Sequence, residues 1–198
     1  MKDLVIDIET IYDVTMEPFL PEKKEKDKKN PREKVQFDSN FNEICCISAY
    51  DGENAKHFGL SEFEFNENKM LEEFWKYVQN FDRFITFNGN SFDIPFLYKR
   101  SFINRVVPSV FISTKKYYLE NHIDIRMILA NWDNYANGSL DLYCKIMLKR
   151  SDKEDIDGSK VQLFWDSKKY EEIYKYCEQD CINTWELYQL MKNYYQGV

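Results

Sequence analysis

The sequence predicts an α/β fold in which helices pack against one mixed sheet. Strand-like segments come first and helical segments alternate with the later strands, an order typical of a sheet covered by helices. The first strand, residues 2–10, begins with the short apolar run Leu4-Val5-Ile6, as in a strand buried on both faces. The chain has 198 residues, which suits one α/β domain of ordinary size, with or without insertions. We therefore expect a single domain over residues 1–198.

The other strands are predicted from apolar segments that end at turn residues. In chain order they span residues 44–50, 56–58, 83–87 and 123–125. Asp51-Gly52 is a turn signal between the first two of these segments, so we expect them to pair as neighbours. The segment Asn88-Gly89-Asn90 ends the third, and the fourth is short enough for a sheet edge.

Helices are predicted where apolar residues recur at intervals of three and four. One such stripe consists of Leu71, Phe74, Trp75 and Val78. A second follows the capping residue Ser139 and consists of Leu140, Tyr143, Cys144 and Met147. Further helices are expected over residues 92–104, with Pro95 in the first turn, over 127–130 and over 168–194. Residues 152–160 are polar and predict a loop.

Residues 13–42 form the least regular part of the sequence. Within them, residues 22–34 mix lysines with acidic residues and contain almost no apolar side chain to bury. Such a composition is typical of a solvated loop insertion. The alternative interpretation is a basic flap that covers a substrate.

Composition agrees with a globular protein that has no membrane partner. Hydrophobic residues make up 43% of the chain and charged residues 31%, which is ordinary for a folded domain. No apolar run approaches the roughly 18 residues of a membrane span, and the strand-like N-terminus lacks a signal peptide's apolar stretch. We therefore expect a cytoplasmic location. The net charge of −7 is unusual for a protein that coats nucleic acid, but clustered carboxylates that bind metal ions would explain it.

The five cysteines are Cys45, Cys46, Cys144, Cys177 and Cys181. An odd number without a secretory signal argues against a disulfide framework. Cys177 and Cys181 would lie on one helix face and could bind zinc together with Cys45 and Cys46. They lack, however, the tight Cys-x-x-Cys spacing of zinc sites. Buried, reduced cysteines are the better interpretation.

Asp7 and Glu9 interrupt the first strand with two carboxylates. Side chains alternate along a strand, so both point to the same face. Two like charges in a half-buried setting repel each other and lose hydration, a cost that a divalent metal would offset. An exposed strand edge is the alternative, but the apolar run before Asp7 argues against it. The strand therefore predicts half of a metal site.

Three later residues would complete this site. Asp93 lies at a strand-to-helix junction, where ligand sites of α/β proteins collect, although a helix cap would also explain it. Tyr176 and Asp180 are four residues apart on the last predicted helix and share one face, although Tyr176 alone would suit a packed surface position. Four carboxylates can hold two divalent ions about 3.5–4 Å apart, the arrangement used for in-line attack on phosphodiesters. Oxygen ligands favour Mg²⁺ or Mn²⁺, and a nearby tyrosine can orient the attacking water or assist its deprotonation.

Four other ionisable residues have structural explanations. We expect His57 and His122 to be structural, and Asp124 and Asp141 to act as local caps.

Three motifs in order resemble those of the DEDD exonuclease superfamily, in its tyrosine-bearing branch: Asp7-Ile8-Glu9, the segment 88–93 from Asn88 to Asp93, and the segment 176–180 from Tyr176 to Asp180. Within that branch the chain is similar to the stand-alone 3′–5′ exonucleases related to the exonuclease domain of family B DNA polymerases. Supporting segments are His122-Ile123-Asp124, Ser139-Leu140-Asp141-Leu142 and Asp157-Gly158-Ser159-Lys160-Val161. The resemblance covers nearly the whole chain except the lysine-rich stretch.

The resemblance implies a ribonuclease-H-like fold, with a five-stranded mixed sheet and helices on both faces. It also implies a catalytic set in which some ligands act through water: Asp7, Glu9, Asp93 and Asp180 as metal ligands, and Tyr176 as the residue that orients water. Residues that would contact nucleic acid are Thr10, Ile11, Asn88, Asn90 and Phe92, with Ile11 as a wedge against the last base.

We therefore expect a metal-dependent 3′–5′ exonuclease that uses two Mg²⁺ or Mn²⁺ ions. It would release nucleoside 5′-monophosphates from single-stranded or frayed 3′ ends, with DNA favoured over RNA, and its partner would be a polymerase or another replication or repair protein. Alternatives are an RNA-directed exonuclease, a non-catalytic binding or accessory module on the same fold, and an endonuclease or resolvase, which the Tyr176 and Asp180 helix argues against.

Overall fold

The computed structural model describes residues 1–22, 31–133, 138–150 and 157–195. Most of the predicted lysine-rich stretch (residues 23–30) and most of the predicted 152–160 loop (residues 152–156) lie outside these ranges. No helix in the described part of the chain has the length and apolar character needed to cross a membrane.

In the described part of the chain, five strands form one sheet in the order β3-β2-β1-β4-β5. The strands are β1 Asp3–Tyr12, β2 Asn42–Tyr50, β3 Ala55–Gly59, β4 Arg83–Thr86 and β5 His122–Asp124. β1 pairs antiparallel with β2, and β2 with β3. β4 is parallel to both of its neighbours, β1 and β5. The mixed sheet, the turn between β2 and β3 and the edge position of β5 are as predicted.

Seven α-helical segments accompany the sheet in the described ranges: α1 Pro31–Lys34, α2 Glu67–Val78, α3 Asp93–Ile103, α4 Ile125–Leu129, α5 Leu140–Tyr143, α6 Val161–Asp166 and α7 Tyr170–Met191. Short 3₁₀ helices span Val14–Phe19, Leu60–Phe63 and Gly158–Lys160, and a π-helical turn, Cys144–Leu148, follows α5.

Helices cover both faces of the sheet. Leu4, Ile6 and Ile8 of β1 point to one face and share a buried cluster with α2 and α3. Val5 points to the other face and belongs to a second cluster with Leu187 of α7. The predicted stripe of α2 is buried completely or almost completely: Leu71 and Phe74 at 0% exposure, Trp75 at 2% and Val78 at 0%.

A buried ion pair ties α2 and α3 to the start of β2. Arg100 donates to the Glu67 carboxylate from two nitrogens, and the shorter contact is 2.5 Å. The other carboxylate oxygen accepts from the backbone N–H of Ile44 at 2.9 Å. Both charged residues are only 5% exposed. This pair therefore fixes the helices relative to the strand that runs beside β1.

The pairing of β1 with β2 is irregular beside the acidic residues. Glu9 lies opposite Cys46, but Thr10 lies opposite Ile44, so Cys45 is an extra residue in β2. Such a bulge bends the strand and redirects side chains locally. It falls where β1 passes from the acidic pair to Thr10.

The predicted stripe after Ser139 is only partly correct. The Ser139 hydroxyl accepts from the Leu142 N–H at 3.2 Å, as a cap should. Cys144 is 3% exposed, but Met147 is 37% exposed, and Leu148 packs on the core instead. The π-helical turn adds a residue to the repeat, so the inward-facing position moves from residue 147 to residue 148.

Candidate active site

β1 and α7 bring three carboxylates together. Asp7 and Glu9 point to the face of the sheet on which α7 lies, and α7 supplies Asp180. One carboxylate oxygen from each of the three lies within 4.8 Å of the others. All three side chains are half-buried. We refer to Asp7, Glu9 and Asp180 as the acidic cluster.

Asp93 reaches β1 from the start of α3. It is the first residue of α3 and is 3% exposed. Its Oδ1 accepts from the backbone N–H of Ile8 at 3.1 Å, so the carboxylate is anchored to β1 between Asp7 and Glu9. Asp93 was expected at the site because it follows a strand-to-helix connection. The structure places it against β1, the strand that carries Asp7 and Glu9.

The carboxylates raise one another's pKa values. Burial first, and repulsion from neighbouring carboxylates second, raises the pKa of Asp7 and of Glu9 well above its usual range. Burial is also the largest cause that raises the pKa of Asp93 to about 7. Each added negative charge is therefore costly, and a divalent cation would remove the cost. An oxygen-only donor set of this kind fits Mg²⁺ or Mn²⁺.

Tyr176 lies one helical turn before Asp180 on α7. Burial, and then the negative charges of Asp180 and Glu9, raise the pKa of its phenol far above the usual value. A hydrogen bond to the Asp180 carboxylate acts in the same direction. The hydroxyl therefore stays protonated at neutral pH, which suits a group that donates a hydrogen bond rather than one that removes a proton.

Cys177 is a contact of the cluster that the sequence reasoning missed. Its thiol donates to Asp7 Oδ2 at 3.3 Å and lies 3.6 Å from the Asp7 carbonyl oxygen. This hydrogen bond lowers the pKa of Asp7, whereas burial and the neighbouring carboxylates raise it. The available signal was spacing, because Cys177 precedes Asp180 by three residues and so shares a helix face with it. All five cysteines are buried, as predicted.

Asp124 organises the loop that leads to Asp93. It caps α4 by accepting from the Met127 N–H at 3.1 Å, as predicted. It also accepts from the backbone N–H groups of Asn88 at 2.9 Å and Asn90 at 2.8 Å, which the sequence reasoning missed. The available signal was topology, since the carboxyl ends of neighbouring parallel strands meet at one sheet edge.

The same loop needs small or permissive residues. Asn88 adopts φ +71°, a left-handed conformation that asparagine tolerates better than most residues. A Cβ at Gly89 would lie 2.2 Å from the Thr86 hydroxyl oxygen, so the chain passes β4 too closely for a side chain.

The two histidines that were expected to be structural both make contacts within the fold. His122 is 2% exposed, and its ring nitrogens lie 2.9 Å from the Thr86 hydroxyl and 2.8 Å from the Ser113 carbonyl oxygen. His57 lies 2.7 Å from a Glu178 carboxylate oxygen and stacks on Tyr174.

The residues expected to contact nucleic acid fall into different surroundings. Thr10 lines a cavity of about 300 Å³ at the end of β1. The Asn88 side-chain oxygen accepts from Arg126 at 2.8 Å. The Asn90 side-chain oxygen is buried and has no hydrogen-bond partner within the described ranges. Phe92 packs edge to face against Phe37, with ring centroids 5.9 Å apart.

Ile11 does not fit the wedge role that the resemblance implied. It is 3% exposed and belongs to the same core cluster as Ile44 and Val161. The inward packing of this part of β1 holds the side chain in the core, so it is not available to a base.

Comparison with known proteins agrees with this fold. The family described as predicted 3′–5′ exonucleases related to the exonuclease domain of PolB matches residues 37–197. That range contains Asp93, Tyr176 and Asp180, whereas Asp7 and Glu9 precede it. Comparison with curated proteins gave no match.

A solved structure with the same fold is the family B DNA polymerase from the hyperthermophilic archaeon Pyrobaculum calidifontis. The similarity has a TM-score of 0.67 at 16% sequence identity and covers 96% of this chain. The chain spans only 24% of the length of that polymerase. The mixed five-stranded sheet with its helices is thus the ribonuclease-H-like fold that the resemblance implied. With the family match over most of its length, the chain belongs to the predicted 3′–5′ exonucleases related to the exonuclease domain of PolB.

Proposed function

We propose that this protein is a metal-dependent exonuclease that removes nucleoside 5′-monophosphates from the 3′ end of single-stranded or frayed nucleic acid, with DNA favoured. The observation that carries the proposal is the acidic cluster. Asp7 and Glu9 from the first strand meet Asp180 from the last helix within 4.8 Å. Such a half-buried cluster is costly without a cation.

The proposed ligands of two Mg²⁺ or Mn²⁺ ions are Asp7, Glu9, Asp93 and Asp180. Bound ions of this kind lower the pKa of the attacking water and stabilise negative charge on the leaving oxygen. The protein contributes a rigid oxygen-donor set, because Asp93 is fixed to the Ile8 N–H and Asp7 to the Cys177 thiol. Preorganised ligands avoid reorganisation during the reaction.

Tyr176 would orient the attacking water rather than deprotonate it. Its raised pKa keeps the hydroxyl protonated, and its hydrogen bond to Asp180 places it beside the cluster. Replacement by phenylalanine removes this donor and keeps the packing of the ring. The resulting loss should therefore be partial, in contrast to the loss of a carboxylate.

Asn90 would contact the nucleic acid near the scissile phosphate. Its backbone N–H is fixed by Asp124, while its buried side-chain oxygen has no partner among the described residues. Buried polar groups without a partner are rare in folded proteins and often mark a ligand site. A nucleotide hydroxyl or base amine would supply the missing donor.

A digestion assay with active-site variants tests the proposal. Wild type should shorten a 5′-labelled single strand in Mg²⁺ or Mn²⁺, and EDTA should stop it. Asp180→Asn should abolish activity, and Tyr176→Phe should reduce it by about 100- to 1,000-fold, the range for removal of one positioned hydrogen-bond donor. Asp141→Asn is the matched control, because Asp141 is exposed and pairs with Lys145 outside the site.

The same assay compares DNA with RNA of identical sequence. Faster digestion of DNA supports the DNA preference, and faster digestion of RNA contradicts it. A wild type that binds these strands without shortening either of them would instead identify a binding module on this fold.

A further inference from the structure

A row of three residues crosses the sheet from the acidic cluster to the edge strand β3. Asp7 lies opposite Ser48 of β2, and Ser48 lies opposite His57 of β3. Side chains of residues that lie opposite each other point to the same face of a sheet. Neighbouring strands are about 4.8 Å apart, so the backbones at Asp7 and His57 are roughly 10 Å apart. His57 therefore shares with the acidic cluster the face on which α7 lies.

α7 contacts both ends of this row with consecutive residues. At one end, the Cys177 thiol donates to Asp7 Oδ2 at 3.3 Å. At the other end, a carboxylate oxygen of Glu178 lies 2.7 Å from His57 Nδ1. An ionised carboxylate can only accept a hydrogen bond, so Nδ1 is the donor in this contact. The helix is thus attached to the centre of the sheet and to its edge at neighbouring positions.

Tyr174 attaches the preceding turn of α7 to the same edge. Its ring stacks on the His57 imidazole, with centroids 4.9 Å apart and an interplanar angle of 30°. Its hydroxyl accepts from the Ser61 N–H at 3.2 Å and lies 2.7 Å from the Ser61 hydroxyl. A Cβ at Gly59 would lie 2.3 Å from the tyrosine ring, so the ring packs directly on the strand backbone. The stacked pair therefore fixes this side of the helix on β3.

The chain that follows β3 holds the imidazole from its other edge. His57 Nε2 lies 3.3 Å from Glu62 Oε1. The other oxygen of Glu62 accepts from the Gly59 N–H at 3.0 Å, which orients this carboxylate. The histidine side chain is 24% exposed. A ring that is held on one face and at both nitrogens has little freedom to move, so it forms a firm support for α7.

The contacts with His57 and the chemistry occupy two sides of one helical segment. Tyr174 and Glu178 are one turn apart and share a side of α7, whereas Tyr176 and Asp180, also one turn apart, share another. A helical segment moves as a unit, so a rotation or shift that broke the contacts with His57 would also move Tyr176 and Asp180 relative to β1. Fixing the first pair therefore fixes the second.

We propose that His57 is a positioning residue of the active site. Through Glu178 and Tyr174 it sets the position in which α7 presents Asp180 and Tyr176 to the carboxylates of β1. The imidazole itself contacts neither the metal ions nor the strand. This inference rests on the proposed function, because the task assigned to the positioned groups is to bind metal and to orient water.

Two substitutions at position 57 separate the hydrogen bond from the bulk of the side chain. His57→Phe keeps the stack on Tyr174 but removes the donor to Glu178. His57→Asn restores a donor close to the position of Nδ1, because both nitrogens are bonded to Cγ. At saturating Mn²⁺, His57→Phe should lower kcat by about 10- to 100-fold and leave KM for the strand nearly unchanged. His57→Asn should recover most of kcat.

A matched control lies on the same strand. Lys56 precedes His57, points to the opposite face and packs over the rings of Phe58 and Tyr77 at 4.8 and 4.5 Å. Lys56→Met should leave kcat unchanged. Glu178→Ala should lower kcat as much as His57→Phe does, and the double variant should show little further loss, because both changes remove one contact.

Metal affinity gives a second readout that needs no digestion. Isothermal titration should show that His57→Phe weakens Mn²⁺ binding by about 10-fold and that His57→Asn restores it. Equal kcat and Mn²⁺ affinity for wild type and His57→Phe would overturn the assignment, and so would a loss that His57→Asn does not recover. If wild type binds Mn²⁺ but digests no strand, the proposed function fails, while the Mn²⁺ affinities still decide the role of His57. A wild type that binds no Mn²⁺ would overturn both.

Discussion

The surroundings of Asp7 shift the pKa of its carboxyl group in opposite directions. Burial and the charges of the surrounding carboxylates raise its pKa, whereas the Cys177 thiol lowers it by hydrogen bonding. Cys177 is itself fully buried. A buried thiol that donates to a proposed ligand acts on the orientation of that ligand, as outer-shell partners of metal sites do.

Replacing Cys177 should therefore change metal binding. We expect Cys177→Ala to weaken Mn²⁺ affinity by about 10-fold or more, because mutation of such partners usually costs 10- to 100-fold. Cys177→Ser restores a donor to Asp7 and should recover most of the affinity. Isothermal titration with Mn²⁺ measures both variants. Cys181→Ala is the control, since Cys181 is equally buried but makes no hydrogen bond to Asp7. Equal affinities of the alanine and serine variants would contradict this role.

At the scale of elements, the carboxylates could be predicted from sequence because each sits on a strand or helix with a clear pattern. The apolar run before Asp7 identifies its strand, and the four-residue spacing of Tyr176 and Asp180 places both on one face of the last helix. The bulge at Cys45 and the loop contacts of Asp124 depend on contacts between distant segments, and the π-helical turn departs from the regular helical period. Local periodicity contains no information about either, which is why Met147 was assigned to the buried stripe. The role of Ile11 came from the resemblance, and its burial beside Ile44 and Val161 depends on contacts between distant segments.

The ion pair between Glu67 and Arg100 should be a main determinant of how α2 and α3 are held. Arg100→Met would leave the Glu67 charge buried without its partner, so we expect a loss of about 3–5 kcal/mol in unfolding free energy. Urea denaturation measures this change in unfolding free energy. Lys69→Met is a suitable comparison, because Lys69 pairs with Glu64 at the surface, and its denaturation midpoint should hardly change. A small loss of unfolding free energy for Arg100→Met would contradict this expectation. It would show that water or a rearrangement compensates the buried charge of Glu67.

For the whole molecule, the sheet positions chemistry at one point from distant parts of the chain. β1 lies at the centre of the sheet, and both α3 and α7 contact it. The packing of the entire fold therefore offsets the repulsion between the clustered carboxylates. The carboxylates of the site contribute to the net charge of −7.

The metal-free protein should lose stability as pH rises. Asp93 has a pKa of about 7 when folded, against an ordinary value of 3.8 when unfolded. Between these values the folded state holds the extra proton, so raising the pH favours unfolding until about pH 7 is passed. Asp7 and Glu9 act in the same direction. Scanning calorimetry in EDTA from pH 5 to 8 should show a falling Tm.

Two comparisons sharpen this prediction. Asp93→Asn should make the decline of Tm with pH shallower, because it removes one of the titrating groups. Saturating Mn²⁺ at pH 8 should raise Tm, with a gain of about 2.7 kcal/mol at a hundredfold excess over Kd. A Tm that rises from pH 5 to 8 in EDTA for wild type, but not for Asp93→Asn, would contradict the electrostatic description.

The central claim is that the acidic cluster hydrolyses nucleic acid from the 3′ end. The most direct measurement is a time course of product masses from a single-stranded oligonucleotide, with wild type and Asp7→Ala in Mn²⁺. We predict that wild type releases nucleoside 5′-monophosphates and shortens the strand stepwise from its 3′ end, and that Asp7→Ala releases none. Equal digestion by both proteins, shortening from the 5′ end, or cleavage of closed circles would contradict the claim.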